Sequence, residues 1–383
     1  MQYRNFGRLD WKASALGFGC MRFPTADGNR MSPNIVQEEA TRMLRRAIDE
    51  GVNYVDTAYL YHAGASETAV GVALRDGYRE RVKLATKMPV WMAKEAGDFD
   101  RILDEQLKRL ETDHIDFYLL HALGHDRWHD CVLKLKMLES AERAKADGRI
   151  RHIGFSFHDG FEAFEEILTG YDKWDFCQIQ LNYMDIMNQA GVAGLKMAAE
   201  RGLAVVIMEP LMGGRLADPP TVIREVVEQH PVRKTPAAWA LEWLWNQPEV
   251  SVILSGMSTM EQVEENLATA SGAKTGAFSE ADEEFIGRLR TMYQERMKIP
   301  CSKCSYCMPC PNGVNIPNNF EHFNYAYLYD DMAGAKFRYN VFLTEEQRAG
   351  ACIECGICAE LCPQQIAIPE RLHEVAELLG AAS

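Results

Sequence analysis

Four side chains in the first third of the chain have types and spacing that suit proton chemistry. The stretch "VNYVDTAYLYH" ends an apolar run on Asp56 and places Tyr61 just beyond it. "KLATKMPVW" carries a second run to Lys87, and "IDFYLLHALGH" carries a third to His121. Tyrosine alone is a poor acid at neutral pH, with an ordinary pKa near ~10. A neighbouring ammonium favours tyrosinate, and a carboxylate beside that ammonium keeps it charged. An imidazole that hydrogen-bonds a carbonyl oxygen completes a set suited to protonating an oxygen that gains negative charge. Each residue alone has a plainer use: an Asp caps turns, a Lys snorkels to solvent, a His simply finds a partner. It is the combination that points to catalysis.

A second group lies far down the chain. Eight of the eleven cysteines fall between Cys301 and Cys362. The first run is Cys301, Cys304, Cys307 and Cys310, each three residues from the next, followed by Pro311. The second is Cys352, Cys355, Cys358 and, after three residues, Cys362 with Pro363. The second spacing is that of bacterial ferredoxins, in which the fourth cysteine of each run ligates the other cluster. The expected ligand sets are therefore Cys301, Cys304, Cys307 and Cys362 for one [4Fe–4S] cluster, and Cys352, Cys355, Cys358 and Cys310 for a second. Two structural zinc ions are the alternative for eight thiolates. Three ligands at three-residue intervals followed by proline suit a cubane better.

These groups need elements to hold them. From about residue 15 to 272, short apolar runs alternate with helical patterns. Strands are expected at Ala15–Met21, Val52–Ala58, Val82–Met88, Ile115–His121, Ile150–Phe157, Phe176–Asn182, Ala204–Met208 and Val250–Gly256. Helical spacing recurs at Ala40–Glu50, Ile102–Leu110, Leu133–Ala146, Val192–Glu200 and Pro236–Trp245. Eight apolar strands alternating with helices predict parallel strands buried on both faces, and hence an α/β fold of the closed (β/α)8 TIM barrel type. No Gly-x-Gly-x-x-Gly follows the first strand, as an open dinucleotide-binding sheet would want. Tyr3–Phe6 and Lys12–Ala15 read as a hairpin across the barrel floor. The expected division is residues 1–278 for the barrel, a linker helix at 279–298 opened by Ser279, and a mostly α-helical ferredoxin-like iron–sulfur domain at 299–383. One helix is expected around Glu321–Arg338 and another after Pro369. In such a barrel, polar residues at strand C-termini are the catalytic candidates, and Asp56, Lys87 and His121 all end strands.

At this point the chain resembles the aldo/keto reductase superfamily. "GVNYVDTAYLY" followed by "GASE", then "ATKMP", then "IDFYLLH" match its motifs in order over roughly residues 1–285. The resemblance implies Tyr61 as general acid/base, Asp56 and Lys87 as its tuning pair, and His121 as the group that positions the carbonyl. It implies hydride transfer from NAD(P)H to an aldehyde or ketone. It also assigns Ser156, His158 and Gln178 to the nicotinamide carboxamide, and Met208 to the ring face where many members have tyrosine. Leu211, Gly213 and Arg215 fall in the pyrophosphate loop. Gly256, Ser258, Thr259, Gln262, Glu265 and Asn266 fall in the adenosine segment. That segment has no Lys or Arg for a 2′-phosphate, so NADH is expected to serve at least as well as NADPH. Members with a similar cysteine-rich tail form a subgroup of the same family, and the tail's spacer resembles α-helical ferredoxin modules.

Pocket candidates are Trp91, Trp128, Tyr59, Met88, Met184 and Met212. His125 and His129 sit four apart, near His121. A metal site there is set aside, because His121 already has a role and no carboxylate lies at a supporting spacing. A net charge of −14 argues against nucleic acid or an anionic membrane as partner. It permits docking to a ferredoxin or another electron-transfer protein. No apolar run approaches the ~18 residues of a membrane span, and the N-terminus carries no apolar leader core. A cytoplasmic reductase of a small carbonyl compound is expected. Two alternatives stay open: a reductase fed through its clusters by ferredoxin, and a redox-sensing or electron-transfer adaptor without catalysis.

Overall fold

The computed structural model describes residues 1–29, 32–301, 303 and 306–380. Two short strands come first, β1 (Tyr3–Phe6) and β2 (Leu9–Ser14), paired antiparallel. Eight parallel strands follow: β3 (Leu16–Gly19), β4 (Tyr54–Asp56), β5 (Lys83–Met88), β6 (Ile115–Leu123), β7 (Ile150–Phe157), β8 (Phe176–Gln180), β9 (Ala204–Met208) and β10 (Val250–Gly256). They close into a barrel in which β10 pairs with both β9 and β3.

Between the barrel strands lie α1 (Gln37–Asp49), α2 (Ala65–Ala73), α3 (Asp98–Arg109), the single turn α4 (His125–Arg127), α5 (Met137–Ala146), α6 (Phe161–Thr169), α7 (Gly191–Glu200), α8 (Thr221–Glu228) and α9 (Pro236–Trp245). After β10 come α10 (Met260–Ser271), α11 (Glu280–Gln294), α12 (Ile316–Leu328), α13 (Met332–Phe342), the short α14 (Ile357–Glu360) and α15 (Ile368–Leu379). Among the described residues, no helix is long and apolar enough to cross a membrane.

The N-terminal hairpin plugs one end of the barrel. Phe6 is fully buried, with its ring 4.6 Å from that of Phe117, and both join Tyr54 and Phe176 in the core. Gly7 makes this turn possible: its φ is +54°, and a Cβ there would stand 2.4 Å from the Ala204 amide nitrogen. No side chain fits.

Two helices differ from their sequence outlines. The expected helix Leu133–Ala146 is interrupted: a π-helical turn spans Trp128–Leu133, and α5 begins only after Lys136 turns left-handed. The expected helix Glu321–Arg338 is two helices. Asp330 takes a left-handed φ of 52°, and Asp331 caps α13 by accepting from the Gly334 amide.

The chain forms two compact units, one of Met1–Ala217 with Lys234–Ser279 and one of Asp218–Arg233 with Glu280–Ser383. α11, expected as a linker, thus belongs to the second unit together with α8. There the His230 ring lies 4.2 Å from Phe285.

Candidate active site

Strand register lifts the catalytic candidates in steps toward the C-terminal mouth. Asp56 is level with Ala85, two residues below Lys87 on β5. Lys87 is level with Leu119, two residues below His121 on β6. With a two-residue side-chain period, Asp56, Lys87 and His121 share the inward-facing phase of their strands.

Lys87 is 1% exposed and makes three short contacts. Its Nζ lies 2.6 Å from Asp56 Oδ1, 2.8 Å from the Thr57 carbonyl oxygen and 3.2 Å from the Tyr61 hydroxyl. An ammonium has three protons and no lone pair, so it donates in all three directions. Burial lowers the Lys87 pKa, but Asp56 and Tyr61 outweigh it and the net shift is upward. Burial also pushes Asp56 up, against the pull of Lys87. The three-acceptor geometry decides the proton's place: it stays on Lys87, and Asp56 is the counter-ion. Since the Tyr61 hydroxyl accepts from Lys87, its own proton is free to be donated elsewhere.

The expected net lowering of Tyr61 is not what the structure gives. Burial raises its pKa, and Lys87 only partly opposes that. His121 shifts the other way, well below its ordinary value, through burial first and then Lys87, His158 and Arg127. It is therefore a neutral imidazole at neutral pH, and its buried Nδ1 has no hydrogen-bond partner. The Tyr61 and His121 rings meet edge-on, with centroids 6.2 Å apart.

The nicotinamide candidates lie on the next strands. Ser156 is buried, and its Oγ accepts from the Ala122 amide at 2.7 Å, which leaves its own proton to donate. The Gln178 side-chain carbonyl is buried with no partner. One donor and one orphaned acceptor on adjacent strands fit a carboxamide, which carries both functions. His158 is exposed to solvent, yet the protein around it depresses its pKa to about 4, mainly by desolvation; its accessibility tempers that shift. Met208 ends β9, followed by Glu209 in a left-handed conformation. Gly213 has a φ of +70°, and a Cβ there would stand 2.7 Å from an Arg215 guanidinium nitrogen and 3.3 Å from one of Arg22.

In the adenosine segment several polar groups already have partners. Thr259 caps α10 by accepting from the Gln262 amide, and Gln262 accepts from the Ser258 amide at 2.8 Å. Glu265 accepts from Thr235 Oγ1, and Asn266 donates to Ser255 Oγ. Gly256 lies against Arg22, whose side-chain atoms would meet a Cβ at 3.2–3.4 Å.

In the C-terminal unit, Cys301, Cys307 and Cys362 line one pocket with Ile316, Phe320 and Ile366. Cys304 lies outside the described residues. Burial raises the Cys358 thiol, and Cys352, Cys355 and Cys310 stand close enough to raise it further. Cys362 thus shares a pocket with Cys301 and Cys307, and Cys310 lies near Cys358 of the second run.

The chain belongs to the aldo/keto reductase family, whose model matches residues 15–280, and carries a 4Fe-4S dicluster domain matched at residues 300–367. It is an oxidoreductase with an iron–sulfur domain. An uncharacterized oxidoreductase of Bacillus subtilis, YqkF, is 26% identical over 305 residues, covering 72% of this chain and 92% of its own. The probable aldo-keto reductase 1 of Glycine max is 23% identical over 358 residues, covering 84% and 93%. Among solved structures, the holo form of an aldo-keto reductase from Bacillus halodurans superposes with a TM-score of 0.62 at 26% identity, covering 76% of this chain and 96% of that one. An aldo-keto reductase from Klebsiella pneumoniae in complex with NADPH gives 0.60 at 25% identity, with coverage of 76% and 96%.

Several supporting residues escape a sequence reading. Gln106 is fully buried on α3 and donates to Glu67, to Thr86 Oγ1 and to the Lys87 carbonyl, while accepting from Tyr118. Its signal is present: with Phe99, Ile102 and Leu103 it completes an i, i+3, i+4, i+7 stripe, a polar residue in an apolar register. His62 is buried, donating to the Ser32 carbonyl and accepting from the Phe23 amide, which anchors the turn beside Tyr61. Arg127 lies over the Trp91 ring at 4.4 Å, and Trp91 stands 5.3 Å from His121. Trp91 therefore stands beside His121. Trp128, expected to line the pocket, is instead buried beside Trp174. Tyr59 also turns away, its hydroxyl donating to Glu105 on α3.

Proposed function

We propose that the chain interconverts an aldehyde or ketone and its alcohol with NAD(P)H, Tyr61 acting as general acid/base. The observation that carries this reading is the triple contact of Lys87 Nζ, which leaves the Tyr61 proton free for a substrate oxygen. Ser156, Gln178 and Met208 would hold the nicotinamide, and Arg22, Arg215 and Gly213 its pyrophosphate. When bound there, the reduced cofactor supplies the hydride. Tyr61 supplies the proton to the carbonyl oxygen, Lys87 with Asp56 keeps the site positive as that oxygen gains charge, and neutral His121 orients the carbonyl. In the oxidative direction Tyr61 takes the alcohol proton back.

NADH remains the proposed donor of at least equal rank. Arg22 brings a cation to the cofactor segment, but it sits between Gly213 and Gly256, where a pyrophosphate common to both cofactors would lie. The NADPH complex of the Klebsiella pneumoniae relative keeps NADPH in contention. We further propose two [4Fe–4S] clusters, held by Cys301, Cys304, Cys307 and Cys362 and by Cys352, Cys355, Cys358 and Cys310.

A second reading has a specific observation behind it. Cys355 is exposed, and around it Ile353, Ile357 and Leu361 are 63%, 51% and 54% exposed. An apolar rim of this kind suits transient docking of a ferredoxin-class electron carrier. The two readings separate in anaerobic turnover of a simple aromatic aldehyde with reduced ferredoxin present and NADH or NADPH deuterated at the transferable C4 position. The first predicts deuterium on the alcohol carbon, with NADH no poorer than NADPH. Product carrying only solvent hydrogen there would contradict it and favour electron delivery through the clusters.

A further inference from the structure

The sequence offers His125 and His129 without a carboxylate, and the fold supplies one from a different helix. Glu166, on α6, places Oε2 3.1 Å from His125 Nδ1 and Oε1 2.7 Å from His129 Nε2. The two imidazole centroids are 4.6 Å apart, and one ligand atom from each of the three residues lies within 4.8 Å of the others. Around a tetrahedral ion with bonds of about 2.0–2.2 Å, neighbouring ligand atoms stand about 3.3 Å apart. The His125–Glu166 spacing of 3.1 Å is near that value, and the 2.7 Å hydrogen bond of His129 to Glu166 would lengthen by about half an ångström on binding.

The two histidines share one segment, and the carboxylate comes from another. The His125 amide donates to Asp159 Oδ2 at 2.9 Å, fixing the start of α4. His129 rides on the π-helical turn that follows directly. Glu166 belongs to α6, which the Gly160 N-cap starts.

We infer that His125, His129 and Glu166 form a site for a divalent transition-metal ion of the zinc class. Two imidazole nitrogens and one carboxylate oxygen suit Zn²⁺ and its neighbours Co²⁺ and Ni²⁺. Mg²⁺ and Ca²⁺ want oxygen ligands and are poor candidates. The side chains are 61%, 43% and 39% exposed, so water completes the coordination and the ion exchanges with solvent. Its place in the barrel gives it a consequence. Arg127, on α4 between the two histidines, donates to the Ala122 carbonyl at 2.7 Å and covers Trp91, which faces His121. An ion bound here ties the turn that props Trp91 to α6.

The test uses full-length, cluster-loaded protein, stripped of loose metal on a chelating resin and dialysed anaerobically against Zn²⁺. Wild type is compared with His129→Ala and with Glu166→Gln, iron content and far-UV circular dichroism serving as controls for folding. Zinc taken up by cysteine thiolates is common to all three proteins and subtracts out. Wild type should hold one more zinc ion per chain than His129→Ala at the same free zinc. Affinity should fall at least about tenfold in each variant, since even outer-shell partners of a metal act on that scale. Millimolar Mg²⁺ should not displace the ion. Equal zinc content in wild type and both variants would overturn the site and leave the trio a hydrogen-bonded surface cluster only.

Discussion

Lys87 decides the chemistry through the number of its protons. Three donors meet three acceptors, so the ammonium cannot turn away from Tyr61 without leaving a buried partner unmet. The signs of the shifts fix a pH profile. His121 is depressed from 6.5, so it stays neutral through neutral pH and gains a proton only well below that value. Tyr61 is raised from 10.0, so it keeps its proton through mildly alkaline pH and loses it only above that value. The proposed reduction needs a neutral His121 and a protonated Tyr61. kcat/KM for carbonyl reduction should therefore be flat between these limits, falling on the acid side below 6.5 and on the alkaline side above 10.0. A limb with its midpoint between about 7 and about 9 would contradict the assignment. At this scale much was legible, because Asp56, Lys87 and His121 each end a strand and the inward phase follows from spacing. The Thr57 carbonyl as third acceptor was not, since any residue type carries one.

Element ends hold these residues in place, and several do so at a conformational cost. His62 and Ala63 after Tyr61, Ala122 after His121, and Glu209 after Met208 all have φ between 51° and 55° without being glycine. Such strain, of order 1–3 kcal/mol per residue, gathers where surrounding packing over-determines the backbone. Nothing in the sequence marks it, because strain at a non-glycine residue is a property of the fold. Gln106 is the element-level anchor, joining α3 to α2, β5 and β6 through one amide. Gln106→Leu would leave Glu67 and Tyr118 short of buried partners and should destabilise the barrel by about 3 kcal/mol in denaturant titration. An unchanged midpoint would show that the amide is dispensable. The strand ladder was readable to within a few residues because buried parallel strands are continuous apolar runs. The breaks at Lys136 and Asp330 were not, because local left-handed turns at charged residues leave the apolar pattern intact.

The whole molecule carries an aldo/keto reductase barrel and a 4Fe-4S dicluster domain. Cysteine density announced the second unit, but the inclusion of 218–233 in it did not show in composition. If the clusters serve folding or docking, Cys355→Ser should lower iron by about four per chain and leave NADH-dependent reduction near the wild-type rate. A rate that falls in proportion to iron would place the clusters on the electron path. The account rests most heavily on Tyr61, and the direct measurement is anaerobic single-turnover reduction of an aldehyde by NADH in wild type and Tyr61→Phe. Cofactor affinity and iron content are measured on the same preparations. The phenylalanine keeps the ring and removes only the proton donor. The predicted result is a rate lower by about 10²–10⁴-fold with cofactor binding and iron unchanged. A variant that reduces the aldehyde within about twofold of the wild-type rate would contradict the account.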